Sequence, residues 1–268
     1  MDTSRLKNIA ILILLALDLA FLAIIGLNRY EAGRAGQEEK RELAALFHSA
    51  GIEVEAEELP DAVTPELLLL SRDPEAEHAL VTALLGEAAL TDQGGNIYSY
   101  ENEAGSALFR GSGEFEFRFA RLEGSGDPER AARGLLKKLG VETLGQPAES
   151  EENGERSLSF PCAWEGREII NASVRLTVYP DGSALLSGRR VNGLVQRDPA
   201  GTALGSSTVL LAFLEAVRSG GLVCSRVESV ERCWQMTATS SGNGLSPVWR
   251  VVTDGGVYRL DGVTGGLL

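Results

Sequence analysis

The chain has 268 residues, 44% hydrophobic and 24% charged, a composition that folds rather than staying disordered, with length for one large or two small domains besides a membrane segment. Its 38 acidic against 25 basic residues leave a net charge of −13, a surface that repels phosphate backbones and so argues against nucleic acid as a ligand. Three cysteines, Cys162, Cys224 and Cys233, cannot all pair within one chain, so no disulfide framework is indicated.

The first predicted element is the stretch NIAILILLALDLAFLAIIGLNRY, beginning at Asn8. From Ile9 to Leu27 every residue is apolar or glycine except Asp18, and nineteen residues rising about 1.5 Å each cover roughly 28 Å, the depth of a bilayer core. An Asp at the centre of a span costs roughly 2.5 to 3.5 kcal/mol, which the many Leu, Ile and Phe residues offset at about 0.3 to 0.6 each. The apolar run is longer than the core of a cleavable signal, and EAGRAG at Glu31 to Gly36 is a poor cleavage site, so an uncleaved anchor is expected. Only eight residues precede it, which places a short tail inside and the domain outside. Asp18 shares a helical face with Ile11, Leu14, Leu22 and Ile25, while Ala16, Ala20 and Ala23 form a small-residue stripe opposite. Small residues let another helix approach closely, and a polar group inside the membrane is a functional candidate, so these four residues are the candidate contacts for partner helices.

After the anchor, RAGQEEKRELAALFHS from Arg34 to Ser49 reads as a helix with Leu43, Leu46 and Phe47 as its apolar stripe, ended by Gly51. IEVEAEELP then alternates as an edge strand with Glu53, Glu55 and Glu57 on one side. Beyond Pro60 a short helix followed by antiparallel strands recurs. DPEAEHALVTALLG takes Asp73 as N-cap and Pro74 at the first helical position, with Ala79, Leu80, Ala83 and Leu84 on one side. Strands follow at NIYSYE, SALFR and EFEFRFA, the last burying Phe115, Phe117 and Phe119. DPERAARGLLKKLG repeats the opening with Asp127, Pro128 and the terminator Gly140, before the strands RSLSFPCAW, EIINASVRLTVY and SALLSGRRV, the last two joined by PDG at Pro180 to Gly182. The third helix is SSTVLLAFLEAVRSGG, and LVCSRVESVERCWQM, VWRVVT and VYRLDGV are its strands. If the first of these is one strand, Cys224 and Cys233 lie about 30 Å apart on opposite sides and cannot bridge. The acidic GQPAESEENG, Gly145 to Gly154, is a candidate subdomain boundary, exposed loop or long hairpin loop.

Candidate chemistry is sparse. His48 and His78, the two histidines, sit in predicted helices without a second ligand at zinc spacing. No Gly-x-Ser-x-Gly elbow or phosphate loop occurs; RGSGEF at Arg110 to Phe115 lies between strands, as a hairpin turn, and TDQGGN at Thr91 to Asn96 reads as a loop. The sequence therefore points to no catalytic residue, metal or cofactor, and to a protein that is not an enzyme.

The two ends carry a resemblance. MDTSRLKNIAILILLALDLAFL resembles the start of the YycI family, which opens with Met-Asp, a lysine-dotted tail and one membrane helix with a polar residue, usually asparagine, near its middle. PVWRVVTDGGVYRLDGVTGG is similar to the final hairpin of YycH/YycI and PepSY-like domains, and LLAFLEAVRSGGLVCSRVESVERCW fits the helix and strand before it. The chain departs from the pattern in carrying Asp18 for the asparagine and Thr3 for an aromatic. The resemblance implies a single-pass protein of the Gram-positive cell membrane whose extracytoplasmic domain, alongside a YycH-like protein, regulates a WalK (YycG)-type sensor histidine kinase in homo- or hetero-oligomeric contact. A PepSY-like ligand-binding or peptidase-inhibitory module is the other reading. The expected fold is α+β, with repeated PepSY-like units of helix plus antiparallel sheet behind one N-terminal transmembrane helix. Its parts are a tail (1–8), the span (9–27), a juxtamembrane helix and edge strand (28–60), a first α+β subdomain (61–145) and a second (146–268).

Overall fold

The computed structural model describes residues 36–123, 126–191, 193–239 and 242–268. The expected span, with Asp18, Ala16, Ala20 and Ala23, lies outside the described residues; among those described, no helix is long and apolar enough to cross a membrane.

The architecture is α+β, with four α-helices among the described residues on a large mixed sheet. Residues 36–49 form α1. Its end is a Schellman turn: Gly51 takes φ 81°, its N–H reaches the His48 carbonyl at 2.9 Å, and the Ile52 N–H reaches that of Phe47 at 3.0 Å. The face that α1 buries holds Leu43, Ala44 and Phe47, whereas Leu46 is 47% exposed, correcting the expected stripe. The centre of that face lies roughly 110° around the helix from Leu46. The expected edge strand at 52–60 is also corrected. Only Glu53 bridges, to Arg226, and Ala56–Glu58 close a 3-10 turn in which Glu55 and Glu58 form a reciprocal capping box.

The helix-then-strands units follow. Strand β1 (Leu68–Ser71) leads into α2 (Pro74–Leu85), whose Asp73 cap accepts the Ala76 N–H at 3.0 Å. The face α2 buries is Glu77, Val81 and Leu85, spaced i, i+4, i+8, and not the predicted side: Ala79 and Ala83 are exposed, and Leu80 and Leu84 only flank the contact. The larger Val81 and Leu85 bury more apolar area than two alanines could. Strands β2 (Ala89–Gly94), β3 (Ile97–Asn102), β4 (Gly105–Arg110) and β5 (Glu114–Phe119) form a meander, so TDQGGN is largely strand rather than loop. In β5, Phe115, Phe117 and Phe119 are all buried, as the alternation predicts.

Helix α3 (Pro128–Lys138) repeats the Asp-Pro start, Asp127 accepting the Arg130 N–H at 3.1 Å. Strands β6 (Glu142–Thr143), β7 (Ala148–Glu152), β8 (Glu155–Trp164), β9 (Arg167–Val178), β10 (Ala184–Arg189) and β11 (Leu194–Arg197) come next. The acidic stretch from Gly145 is not simply a loop, since β7 pairs residue for residue with β8 around Asn153 (φ 53°) and Gly154 (φ 83°). The last unit is α4 (Ser206–Arg218) and strands β12 (Val227–Thr239), β13 (Gly242–Thr253) and β14 (Gly256–Asp261). β12 starts at Val227, so Cys224 precedes it and the one-strand argument about Cys224 and Cys233 falls away; all three cysteines are free.

The strand order is β11-β1-β13-β12-β9-β10-β5-β4-β3-β2, with β14 beside β13 and β6, β7 and β8 branching from β9. Every pairing between strands is antiparallel except β12 with β9, parallel through Trp234 and Ile169, so the sheet is mixed rather than antiparallel throughout. Two clusters make the core. One packs α2 and α3 on Phe109, Phe117, Phe160, Leu176 and Leu186; the other packs α1 and α4 against the final hairpin through Phe47, Phe213, Trp249 and Leu260. The long β12–β13 hairpin serves both, with Trp234, Met236 and Leu245 in the first and Val230, Trp249 and Val251 in the second.

Candidate functional site

Helix α2 packs on the meander and α3 on β8 beside it, and a groove of about 320 Å³ opens between the two helices. Its floor is apolar, with Leu84, Leu85, Phe119 and Leu135. Its rim is basic: Arg121, Arg130 and Lys138 face one carboxylate, Glu123, in a chain whose net charge is −13. The placement follows from α3 itself. Ala132 and Leu136 turn into the core, which leaves Arg130, Gly134 and Lys138, spaced i, i+4, i+8, along the groove edge. The two cations stand about 12 Å apart along the axis. A Cβ built on Gly134 would meet nothing within 4 Å, so the middle of that edge is open. This geometry can hold an anionic, partly apolar ligand.

A second polar assembly is buried at the start of α2. Glu77, 2% exposed, is held by Arg72 through Nε to both carboxylate oxygens at 3.0 Å and through Nη2 at 2.5 Å. Arg72 Nη1 donates to the Asn96 carbonyl at 2.8 Å, and the guanidinium lies 4.2 Å from the centre of the Tyr98 ring. The start of α2 is thereby pinned to the β2–β3 turn. Burial and, after it, the Glu77 charge push the Tyr100 hydroxyl pKa up.

The remaining candidates resolve simply. Both histidines are exposed on helices, and His78 rests against Tyr100 with ring centres 5.9 Å apart. No group of three or more His, Cys, Asp or Glu that could hold a metal occurs among the described residues. Cys162 is buried, and burial pushes its thiol up to about 12, so it is a neutral wall residue rather than a nucleophile. On the β9–β12–β13 surface, Arg250 bridges Glu168 and Glu231, each at 2.5 Å, an ion-pair network across strands.

Sequence reasoning missed both the groove and the buried pair. The spacing of Arg130, Gly134 and Lys138 was a visible signal for the first. For Glu77 there was none, since its burial depends on an arginine five residues earlier and on a turn contributed by Asn96.

These features define an α+β protein built on one large mixed sheet, with a basic-rimmed groove on its helical side. No family model matches the chain, and no curated protein does. Among solved structures it is similar to the Bacillus megaterium YpeB C-terminal domain, at 11% identity and a TM-score of 0.35, covering 74% of this chain and 96% of that one. A likeness at that level carries no argument about function.

Proposed function

We propose that the chain is a membrane-anchored extracytoplasmic regulator of a two-component sensor histidine kinase of the WalK (YycG) type, without catalytic activity of its own. The observation that carries the reading is the YycI-like pattern at both ends of the sequence, of which the terminal part is the β13–β14 hairpin. Trp249 is fully buried there, and Asp261 accepts the Val263 and Thr264 N–H groups at 2.7 and 2.9 Å, so the signature residues build a rigid end to the fold. The Asp18 face and the Ala16, Ala20 and Ala23 stripe are the proposed contacts with the helices of the kinase and of a YycH-like protein in the membrane. Photo-crosslinking from position 18 and from position 20 in native membranes, with the captured proteins identified, tests this. Capture of a histidine kinase, reduced at least about fivefold by Asp18→Leu with insertion intact, is the expected result; a full-length chain that captures none, or whose capture ignores Asp18, would overturn it.

A second reading, a PepSY-like module that binds a peptide or inhibits a peptidase, is favoured by the groove, where three cations surround an apolar floor. It predicts that a labelled peptide alternating Glu with Leu binds the full chain and that Gly134→Trp, which fills the open edge, blocks it.

A further inference from the structure

The cations of the groove edge have a fixed spacing. Arg130 and Lys138 stand on α3 about 12 Å apart along its axis, both exposed, with the open position of Gly134 midway between them. Among the described residues neither they nor Arg121 makes an ion pair, whereas the neighbouring Arg118 and Arg133 are taken up by Glu116 and Glu129, each at 2.7 Å. Behind Gly134 the floor is apolar, and two of its leucines, Leu84 and Leu135, are only partly buried. Read along the helix, the edge presents a cation, apolar surface, and a second cation.

An extended chain rises about 3.3 Å per residue and turns alternate side chains the same way, so residues i, i+2 and i+4 share a side and the outer two lie about 13 Å apart. Carboxylates at i and i+4 therefore meet Arg130 and Lys138 where each stands, and an apolar side chain at i+2 falls over Gly134 onto the floor. A ligand with a single anionic group would instead draw both cations across the apolar surface. A helix with acids at i and i+8 has the right length but not the width. It is about 10 to 12 Å across with its side chains, whereas about 320 Å³ spread along that edge is a trough about 5 Å wide, close to the spacing of neighbouring strands.

Resting on the peptide-binding reading of the groove, we infer that its occupant is an extended acidic segment of a partner protein, with a carboxylate side chain at i, an apolar residue at i+2 and a second carboxylate at i+4, the two acids pairing with Arg130 and Lys138. Arg121 comes from the opposite wall and raises the attraction for an anion at any spacing, so it adds strength while the α3 edge sets the register. In a chain of net charge −13 the rest of the surface repels such a segment, which confines it to this rim.

The test is titration of the full chain in detergent micelles with two amidated peptides of one composition, Ser-Glu-Ser-Leu-Ser-Glu-Ser and Ser-Leu-Ser-Glu-Ser-Glu-Ser, followed by NMR line broadening of their leucine methyls at constant ionic strength. The first holds its carboxylates at the i, i+4 spacing and the second at i, i+2, about 7 Å apart. The first should bind about two- to fivefold more tightly, because the second engages only one cation of the α3 edge and forgoes one exposed ion pair. Arg130→Gln or Lys138→Gln, both at exposed positions, should weaken the first peptide by that factor and erase its advantage, while Lys137→Gln, exposed on α3 but off the groove, should change neither affinity. Equal affinities in the unaltered chain, or an advantage that survives both groove substitutions, overturn the spacing and leave the peptide-binding reading standing. Absence of saturation by either peptide at about 10 mM, a decade above a millimolar dissociation constant, overturns both.

Discussion

Substituting Glu77 with glutamine tests how far the buried ion pair organises the first core. The replacement is nearly isosteric, so packing around α2 is kept and the charge alone is lost. Glu77 is 2% exposed and the Arg72 side chain 13%, so solvent screens neither, and after the change Arg72 has no carboxylate partner and Arg190 loses the charge that acts on it. Removing one partner of a buried pair costs about 3 to 5 kcal/mol. The comparison is Glu129→Gln on α3, whose i,i+4 partner Arg133 is 2.7 Å away but roughly as exposed as it is, where about 0.3 to 0.5 kcal/mol is expected. Urea denaturation followed by circular dichroism measures both; at a slope of roughly 3 kcal/mol per molar, the Glu77→Gln midpoint should fall by about 1 M or more and the control by almost nothing. The double change Arg72→Met with Glu77→Leu should recover a large part of the loss, because a well-packed apolar pair often replaces a buried ionic one without penalty. A Glu77→Gln midpoint within the error of the control would refute this account of the interior.

Phe117→Ala should cost about 3 to 5 kcal/mol in the same assay, since the ring is fully buried with Phe109, Phe115 and Phe119 each within 6.1 Å of its centre. Gly134→Ala should instead stabilise by about 0.5 to 1 kcal/mol, because the position is inside α3 and the new Cβ meets open space. Asp254 accepts hydrogen bonds from the Ser225 side chain and from the Ser225 and Arg226 N–H groups at 3.0 Å, which hold its pKa at about 2. A folded pKa below the unfolded one means that the interaction stabilises fully above the ordinary carboxylate range and is lost as pH falls towards about 2. Carboxyl ¹³C NMR should show that midpoint, and Ser225→Ala, which removes the largest cause, should move it upward; an unmoved midpoint would contradict the assignment.

The parts legible in the sequence are those fixed locally. Asp73-Pro74 and Asp127-Pro128 start helices because cap and ring geometry act within one turn, and the alternation of β5 survives because one face meets a single core. Strands β2 and β7 escaped because every residue in them is exposed, so no burial pattern marks them and their pairing is imposed by a neighbouring strand. The buried face of α2 was misread because its first member is a glutamate, made tolerable only by Arg72. The stretch after Gly51 alternates like a strand, but side-chain capping by Glu55 and Glu58 diverts it into a 3-10 turn. Of the groove, the basic spacing along α3 was readable, whereas Phe119 reaches it from the end of β5 and Arg121 from the residues just after that strand.

The second core has an implication for synthesis. Leu43 and Phe47 of α1 pack in one cluster with Trp249 and Leu260, so the earliest described helix waits for strands made more than two hundred residues later. On a chain emerging vectorially, that helix meets Ile52 and Leu59 at once but lacks Trp249 and Leu260 until β13 and β14 have been made. A chain interrupted before β14 would therefore lose packing at α1 as well, and a quality-control protease would meet loosened polypeptide in two places far apart in the sequence.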